Sequence, residues 1–182
     1  KTREILKLYD HKIVIKHLEE QLSLNKENKN LKKGIMRCLA GYTDDRVILI
    51  IKEYLRVNNI DMSIICSESL LKIAKNRLKI FDFEDYFFIS IKNFTHQYFK
   101  LHCFKISLED NENTFFIKDQ IGYEMRRCLY IILKVVTLKI PNSPIDSHIK
   151  NIIENNDKDL PYILEFFETS FSKKTLNLLM PM

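Results

Sequence analysis

The side chains that come nearest to a metal-binding cluster in this sequence are His96, His102 and Cys103. Imidazole and thiolate groups are the ligands that zinc prefers, and a structural zinc site needs four of them at characteristic short spacings. Here the intervals are six residues and then one, and no fourth ligand follows nearby. The pattern therefore predicts partly buried polar residues on a helix rich in aromatic side chains, and no metal site.

Acidic residues are clustered at three places, over residues 44–45, 82–85 and 109–112. General acid and base catalysis requires two carboxyl groups in one cleft with separated pKa values. The first two clusters instead precede apolar helical patterns, where acidic residues cap a helix, and the third occupies a polar turn. The sequence contains no glycine-rich phosphate loop, nucleophile elbow or metalloprotease motif. It therefore predicts no catalytic residue and no cofactor, and we expect a protein that is not an enzyme.

Basic residues offer a different chemistry, which is contact with the phosphate backbone of a nucleic acid. The candidate contacts are Lys72, Lys75, Arg77, Lys79, Arg126 and Arg127. The net charge is +5, from 29 basic and 24 acidic residues spread along the chain, and a charge of that size mainly supports solubility. Binding to nucleic acid through basic helix faces, as a subunit of a larger complex, is therefore the alternative function.

The elements that would position these side chains are predicted to be α-helices. All four prolines lie at or beyond residue 141, and only three glycines occur in 182 residues. Proline and glycine interrupt regular structure, so a long proline-free run favours long helices over a turn-rich sandwich or barrel. We predict a mainly α-helical fold, either an irregular multi-helix bundle or a short stack of helical repeats of the armadillo or HEAT kind.

One segment, near residues 101–118, also fits β-strands. Two runs rich in β-branched and aromatic residues, HCFKISL and TFFIKD, flank the polar stretch EDNEN. That pattern is typical of a small β-hairpin. The alternative is a helix followed by a loop, and the sequence leaves both open.

The N-terminal segment carries Leu8, Ile15 and Leu22 at seven-residue intervals. This spacing fits a short coiled coil or a single amphipathic helix, and the amphipathic helix is the more common structure with this pattern. We predict that residues 1–30 form this helix, as the possible end of a coiled coil, together with a polar linker. Residues 31–182 are predicted to form a single α-helical domain. Because the chain begins with Lys1, we also expect it to be part of a longer protein.

Residues 46–70 read as two apolar helical segments separated by Asn58 and Asn59, with Asp61 as the predicted cap of the second. The stretch IKEYLRVNNIDMSI resembles the LisH dimerisation motif of centrosomal, ciliary and microtubule-linked proteins. The matching positions are Ile51, Tyr54, Leu55, Arg56, Ile60 and Ser63. The resemblance implies symmetric self-association through Ile51, Tyr54, Leu55 and Ile60.

The same stretch departs from the LisH pattern at three positions. Asn59 occupies the usual glycine site, Ser67 falls where the family has a large aromatic residue, and Leu70 falls where it has glutamate. These departures favour packing within one chain over packing between two. No family is recognised over the whole chain.

Together these features predict a protein-interaction or scaffold module that presents an apolar helical face or groove to another protein or to a second copy of itself. The four cysteines are far apart and each has apolar neighbours, which is typical of free thiols in a reducing, intracellular compartment. The longest apolar run contains lysines and is too short to span a bilayer, so we expect no membrane partner.

Overall fold

A computed structural model gives the fold of the chain. It describes residues 5–6, 8–25, 27–56, 59–76, 84–138, 140–143, 145, 148–149, 151, 157–170, 173 and 176–177. Seven α-helices of eleven residues or more occur in these ranges, and no strand does, which confirms the mainly α-helical prediction. They are α1 (His11–Leu24), α2 (Lys29–Leu39), α3 (Asp45–Arg56), α4 (Ile60–Lys75), α5 (Glu84–Ser107), α6 (Glu112–Thr137) and α7 (Leu160–Ser170).

The chain packs into two compact units, Lys1–Phe81 and Asp82–Met182. The first contains α1 to α4, and the second contains α5 to α7 with a short 3-10 turn at Asp157–Asp159. Sequence patterns place a boundary near residue 30 and a single domain after it. The compact units divide after residue 81, and the predicted organisation into an N-terminal helix with linker and one domain stays a prediction.

The first helix of the N-terminal unit begins at a polar cap. Asp10 accepts a hydrogen bond from the backbone N–H of Lys12, which satisfies one of the free amides at the start of α1. Ile15 and Leu22, two members of the seven-residue repeat, are buried, and α1 packs against α2. Leu8 precedes the helix and is 82% exposed. The repeat therefore contributes one pair of residues, two helical turns apart, to a core, as in an amphipathic helix.

Helix α4 is the most deeply buried helix of the N-terminal unit, and it packs against α2 and α3. Asn59 caps it by accepting from the N–H of Met62, while Asp61 lies in its first turn. The predicted cap at Asp61 is therefore wrong by two residues, and Asn58 lies outside the described residues. Ser67 is fully buried, and its hydroxyl donates to the carbonyl of Ile64 at 2.9 Å. Small side chains on this helix allow close packing with its neighbours.

The C-terminal unit is built on a helical hairpin, in which α5 and α6 pack together and are joined by residues 108–111. The β-hairpin predicted near residues 101–118 is wrong, because both of its proposed strands belong to these helices. Side chains such as Phe94 and Ile132 are buried within the unit. Burial along two long helices outweighs the local preference of aromatic and β-branched residues for strands.

The last described helix, α7, follows the 3-10 turn directly and buries Ile163 and Phe167. Before it, Asp159 accepts a hydrogen bond from the side-chain amide of Asn151, and the Nδ1 atom of His148 lies 3.3 Å from the same carboxylate. These polar contacts fix the start of α7 to the preceding segment.

Candidate interaction surface

The end of the α5–α6 hairpin exposes an unusual concentration of large apolar side chains. We call residues 104–118 the hairpin tip; it comprises the last turn of α5, the connecting turn and the first two turns of α6. Its exposed apolar side chains are Phe104, Ile106, Phe115, Phe116 and Ile117. Phe116 is 78% exposed and Phe115 66%, and their rings meet edge to face with centroids 5.7 Å apart. Aromatic surface is thus presented to solvent on a helix.

The start of α6 is fixed by reciprocal capping between Asn111 and Thr114. The Asn111 side chain accepts from the N–H of Thr114 at 3.1 Å, and the Thr114 hydroxyl accepts from the N–H of Asn111 at 3.3 Å. That hydroxyl also donates to the carbonyl of Glu109 in the connecting turn. Such a capping box satisfies two amides that would otherwise have no partner, so α6 is defined from its first turn onward.

A second contact ties the connecting turn to α6. The ammonium of Lys118 donates to the carboxylate of Asp110, and the side chain of Lys118 is only 18% exposed. The hydrogen bond and the charge of Lys118 lower the pKa of Asp110 below its ordinary value of 3.8. The turn, the cap and this ion pair together hold the aromatic residues of the tip in place.

The charged residues around the tip are mostly acidic. Residues 104–119 contain four carboxylates and two ammonium groups: Glu109, Asp110, Glu112 and Asp119 against Lys105 and Lys118. The chain as a whole carries an excess of basic residues, with a net charge of +5. The local balance is therefore opposite in sign to that of the molecule.

The four residues predicted for self-association lie in the N-terminal unit, and two of them belong to its core. Ile51 and Leu55 are buried in α3, whereas Tyr54 and Ile60 are half-buried. The Tyr54 hydroxyl donates to the carbonyl of Leu22 at 3.5 Å, and the Lys32 ammonium lies 5.8 Å from its ring centroid. Ile51 and Leu55 are thus core residues of one chain, and Tyr54 has partners within it. Self-association through the four residues stays a prediction.

The basic residues predicted to contact nucleic acid are divided between the two units. Lys72 and Lys75 are exposed on α4 of the first unit, and Arg77 and Lys79 lie outside the described residues. Arg126 and Arg127 are half-buried on α6 of the second unit. The guanidinium of Arg127 donates to the Glu124 carboxylate at 3.0 Å, and it lies 5.5 Å from the centroid of the Tyr123 ring. Its charge is therefore already partly neutralised.

The residues considered for metal binding form no such site in the described ranges. His96, His102 and Cys103 are all exposed on α5, and no group of three potential ligands gathers around a common point among the residues described. Cys66 and Cys128 are fully buried, and burial raises the pKa of each thiol to about 12. A thiol with so high a pKa is a poor nucleophile at neutral pH.

The hairpin tip was not predicted from the sequence, although the sequence contains one pattern that indicates the start of its second helix. Asn111 followed three residues later by Thr114 is a variant of the capping-box pattern, and FFI follows it at once. That pattern indicates the start of a helix at residue 112 and argues against a strand. It says nothing about exposure, because exposure depends on which helices pack nearby.

Comparison with known proteins identifies no relative of this chain. The chain matches no protein-family model, no curated protein and no solved structure. Among the described residues, no helix is both long enough and apolar enough to cross a membrane.

Proposed function

We propose that this protein is a non-enzymatic protein-interaction or scaffold module, and that the hairpin tip is the surface it presents to a partner. The observation that carries the proposal is the exposure of five large apolar side chains at one end of one hairpin. Soluble proteins bury most such side chains, and a concentration of them at the surface marks a contact site. Aromatic residues are also the side chains that contribute most to protein–protein binding energy.

The chemistry of the tip suggests what kind of partner would fit. Phe115, Phe116 and Ile117 are consecutive on a helix, and the helix can enter an apolar groove as other interaction helices do. Acidic residues flank this stretch. The partner that complements both properties is a protein with an apolar groove bordered by Lys and Arg side chains.

The same acidic residues argue against a polyanion at this surface. A nucleic acid or an anionic membrane would bring phosphate groups toward carboxylates, which raises the energy of the complex. The alternative function would have to use the basic residues of α4 or α6 instead. Of these, Arg127 is already paired with Glu124, which makes its charge less available to a phosphate group.

The proposal can be tested with a photo-crosslinking phenylalanine analogue placed at position 116 in the full chain. A protein captured at 116 is then purified and titrated against wild-type protein, Phe116→Ala and Leu49→Ala. Leu49 is the matched control, since it is a large apolar side chain that is 55% exposed on α3, a helix of the other compact unit. We expect Phe116→Ala to weaken binding by about 30-fold, the loss typical of a hot-spot residue, and Leu49→Ala to leave it unchanged.

Two results would overturn the proposal. One is equal affinity of the captured protein for all three versions of the chain. The other is the absence of any binary complex between the purified proteins at micromolar concentration. If the captured protein is the chain itself, light scattering that shows a dimer lost in Phe116→Ala identifies a second copy as the occupant.

A further inference from the structure

The α5–α6 hairpin also brings two cationic side chains together beside a glycine. Gly122 is buried on α6. The ammonium nitrogen of Lys105, on α5, lies 3.3 Å from the point where a β-carbon on residue 122 would stand. The Nη1 atom of Arg126, one turn along α6, lies 3.7 Å from the same point. We call these three residues the Gly122 notch.

Neither cation of the notch has an anionic partner among the residues that the structure describes. The neighbouring basic residues differ from them: Lys118 is paired with Asp110, and Arg127 with Glu124. The Nε atom of Arg126 is buried and meets no hydrogen-bond acceptor in this part of the chain. A buried donor without an acceptor is costly, and like charges held together are costly as well. Lys105 and Arg126 are therefore two cationic groups without an anionic partner among the described residues, although the Nε atom of Arg126 itself lies more than 4 Å from the common point.

We propose that the Gly122 notch binds a tetrahedral oxyanion, of which inorganic phosphate is the simplest. The two cationic nitrogens are at most about 7 Å apart, the sum of their distances from the common point. One phosphate can accept from both, because each N–H···O bond spans about 2.7–3.2 Å. Hydrogen bonds between guanidinium or ammonium groups and phosphate are among the strongest available in water.

The absence of a side chain at residue 122 is part of this arrangement. A β-carbon there would lie closer to the Lys105 ammonium than ordinary van der Waals contact allows. With glycine at this position, the Lys105 ammonium and the Arg126 guanidinium can both lie close to the backbone of α6, each within 4 Å of the place that a β-carbon would fill. The site uses one residue from α5 and two from α6, so it depends on the packed hairpin.

Phosphate titration of the ¹⁵N-labelled full chain, observed at the Arg126 Nε–H signal by NMR at constant ionic strength, tests the proposal directly. We expect a saturable shift of this signal with phosphate and none with chloride. Lys105→Gln should weaken phosphate binding by about tenfold or more, the value of one charge-assisted hydrogen bond. Lys100→Gln removes the same charge from an exposed position on α5 and should leave the affinity unchanged. Gly122→Ala should weaken binding by displacing the Lys105 ammonium.

The source of the oxyanion is distinguished by a parallel titration with phenyl phosphate. Tighter binding of phenyl phosphate indicates a phosphate monoester as the natural ligand, and tighter binding of inorganic phosphate indicates the free ion. An Arg126 shift that chloride reproduces, or equal losses in Lys105→Gln and Lys100→Gln, would show only general ionic screening and overturn the proposal. Far-UV circular dichroism of each variant confirms that it is folded. Lys105 belongs both to the hairpin tip and to the notch, but the proposal does not depend on the function proposed for the tip, since none of these outcomes involves Phe116.

Discussion

The two ends of helix α6 both carry consecutive large apolar residues but have opposite surroundings. Near its N-terminus the sequence TFFIKD leaves both phenylalanines and Ile117 exposed. Near its C-terminus the sequence YIILKVVT is buried at every position, including Lys134, whose ammonium lies 5.2 Å from the centroid of the Tyr130 ring. One continuous helix therefore passes from a core into solvent and still carries three consecutive large apolar side chains at its exposed end.

This contrast shows what an apolar helical pattern can and cannot indicate. Burial removes apolar surface from water and stabilises the fold by roughly 25 cal/mol for each square ångström. The same side chains left in water contribute nothing to folding, and they become available to a partner. Both ends of α6 carry large apolar side chains, and packing decides that those of one end belong to the core and those of the other to the proposed interface.

The largest expected difference is in stability, between two substitutions that each shorten a side chain at one end of α6. Ile132 is fully buried, so Ile132→Ala removes buried methylene groups and leaves a cavity. We expect a loss of about 2–5 kcal/mol in the free energy of unfolding of the C-terminal unit. Phe116→Ala should change it by no more than about 0.5 kcal/mol, as for most surface substitutions.

Urea titration with labelling of the buried Cys128 thiol measures this difference, because Cys128 lies in the same unit and becomes reactive when the unit opens. Labelling of Cys66 reports the N-terminal unit in the same sample. A large loss in Phe116→Ala would contradict the assignment of the tip to the surface.

An intermediate effect is expected from the cap that begins α6. Asn111→Ala removes the acceptor for the N–H of Thr114, and we expect a loss of about 1 kcal/mol. The loss should be concentrated in the first turns, so hydrogen exchange should quicken at residues 113–118 and stay unchanged at residues 130–137. Asn113→Ala, at an exposed helical position two residues later, is the control. Equal acceleration at both ends of α6 would mean that the two ends do not behave differently.

The smallest effect concerns the ion pair between Asp110 and Lys118. The folded-state pKa of Asp110 is lowered by this contact, so its contribution is fully present above the ordinary value of 3.8 and is lost as pH falls through the folded-state value. NMR titration of the carboxyl carbon should give a pKa below 3.8 in wild-type protein. In Lys118→Gln it should return toward 3.8, and identical titration curves would show that the contact does not form in solution.

The sequence predicts the helical class well, because glycine and proline placement acts locally on every backbone. It locates the break between α3 and α4 near Asn59 but chooses Asp61 as the cap, since both residues have suitable side chains. The error at residues 101–118 has a different cause. β-Branched and aromatic residues prefer strands only weakly, and packing between α5 and α6 decides their conformation.

The surfaces proposed for binding were harder to predict than the fold for the same reason. Ile51 and Leu55 match positions of a dimerisation motif, yet they are buried within one chain. Phe116 is a residue type typical of a core, yet it is exposed. The Gly122 notch joins residues 105 and 126 across the hairpin. No pattern in a single sequence pairs them, because their proximity depends on how two helices pack.

The reciprocal cap at Asn111 and Thr114 also affects the thermodynamics of binding at the tip. A segment that folds only when it binds loses backbone entropy at that moment, which commonly offsets several kcal/mol of its contact energy. Phe115 and Phe116 are already on a formed, capped helix, so association would mainly order their side chains. Binding should then show the negative heat-capacity change of buried aromatic surface, without the large unfavourable entropy of coupled folding.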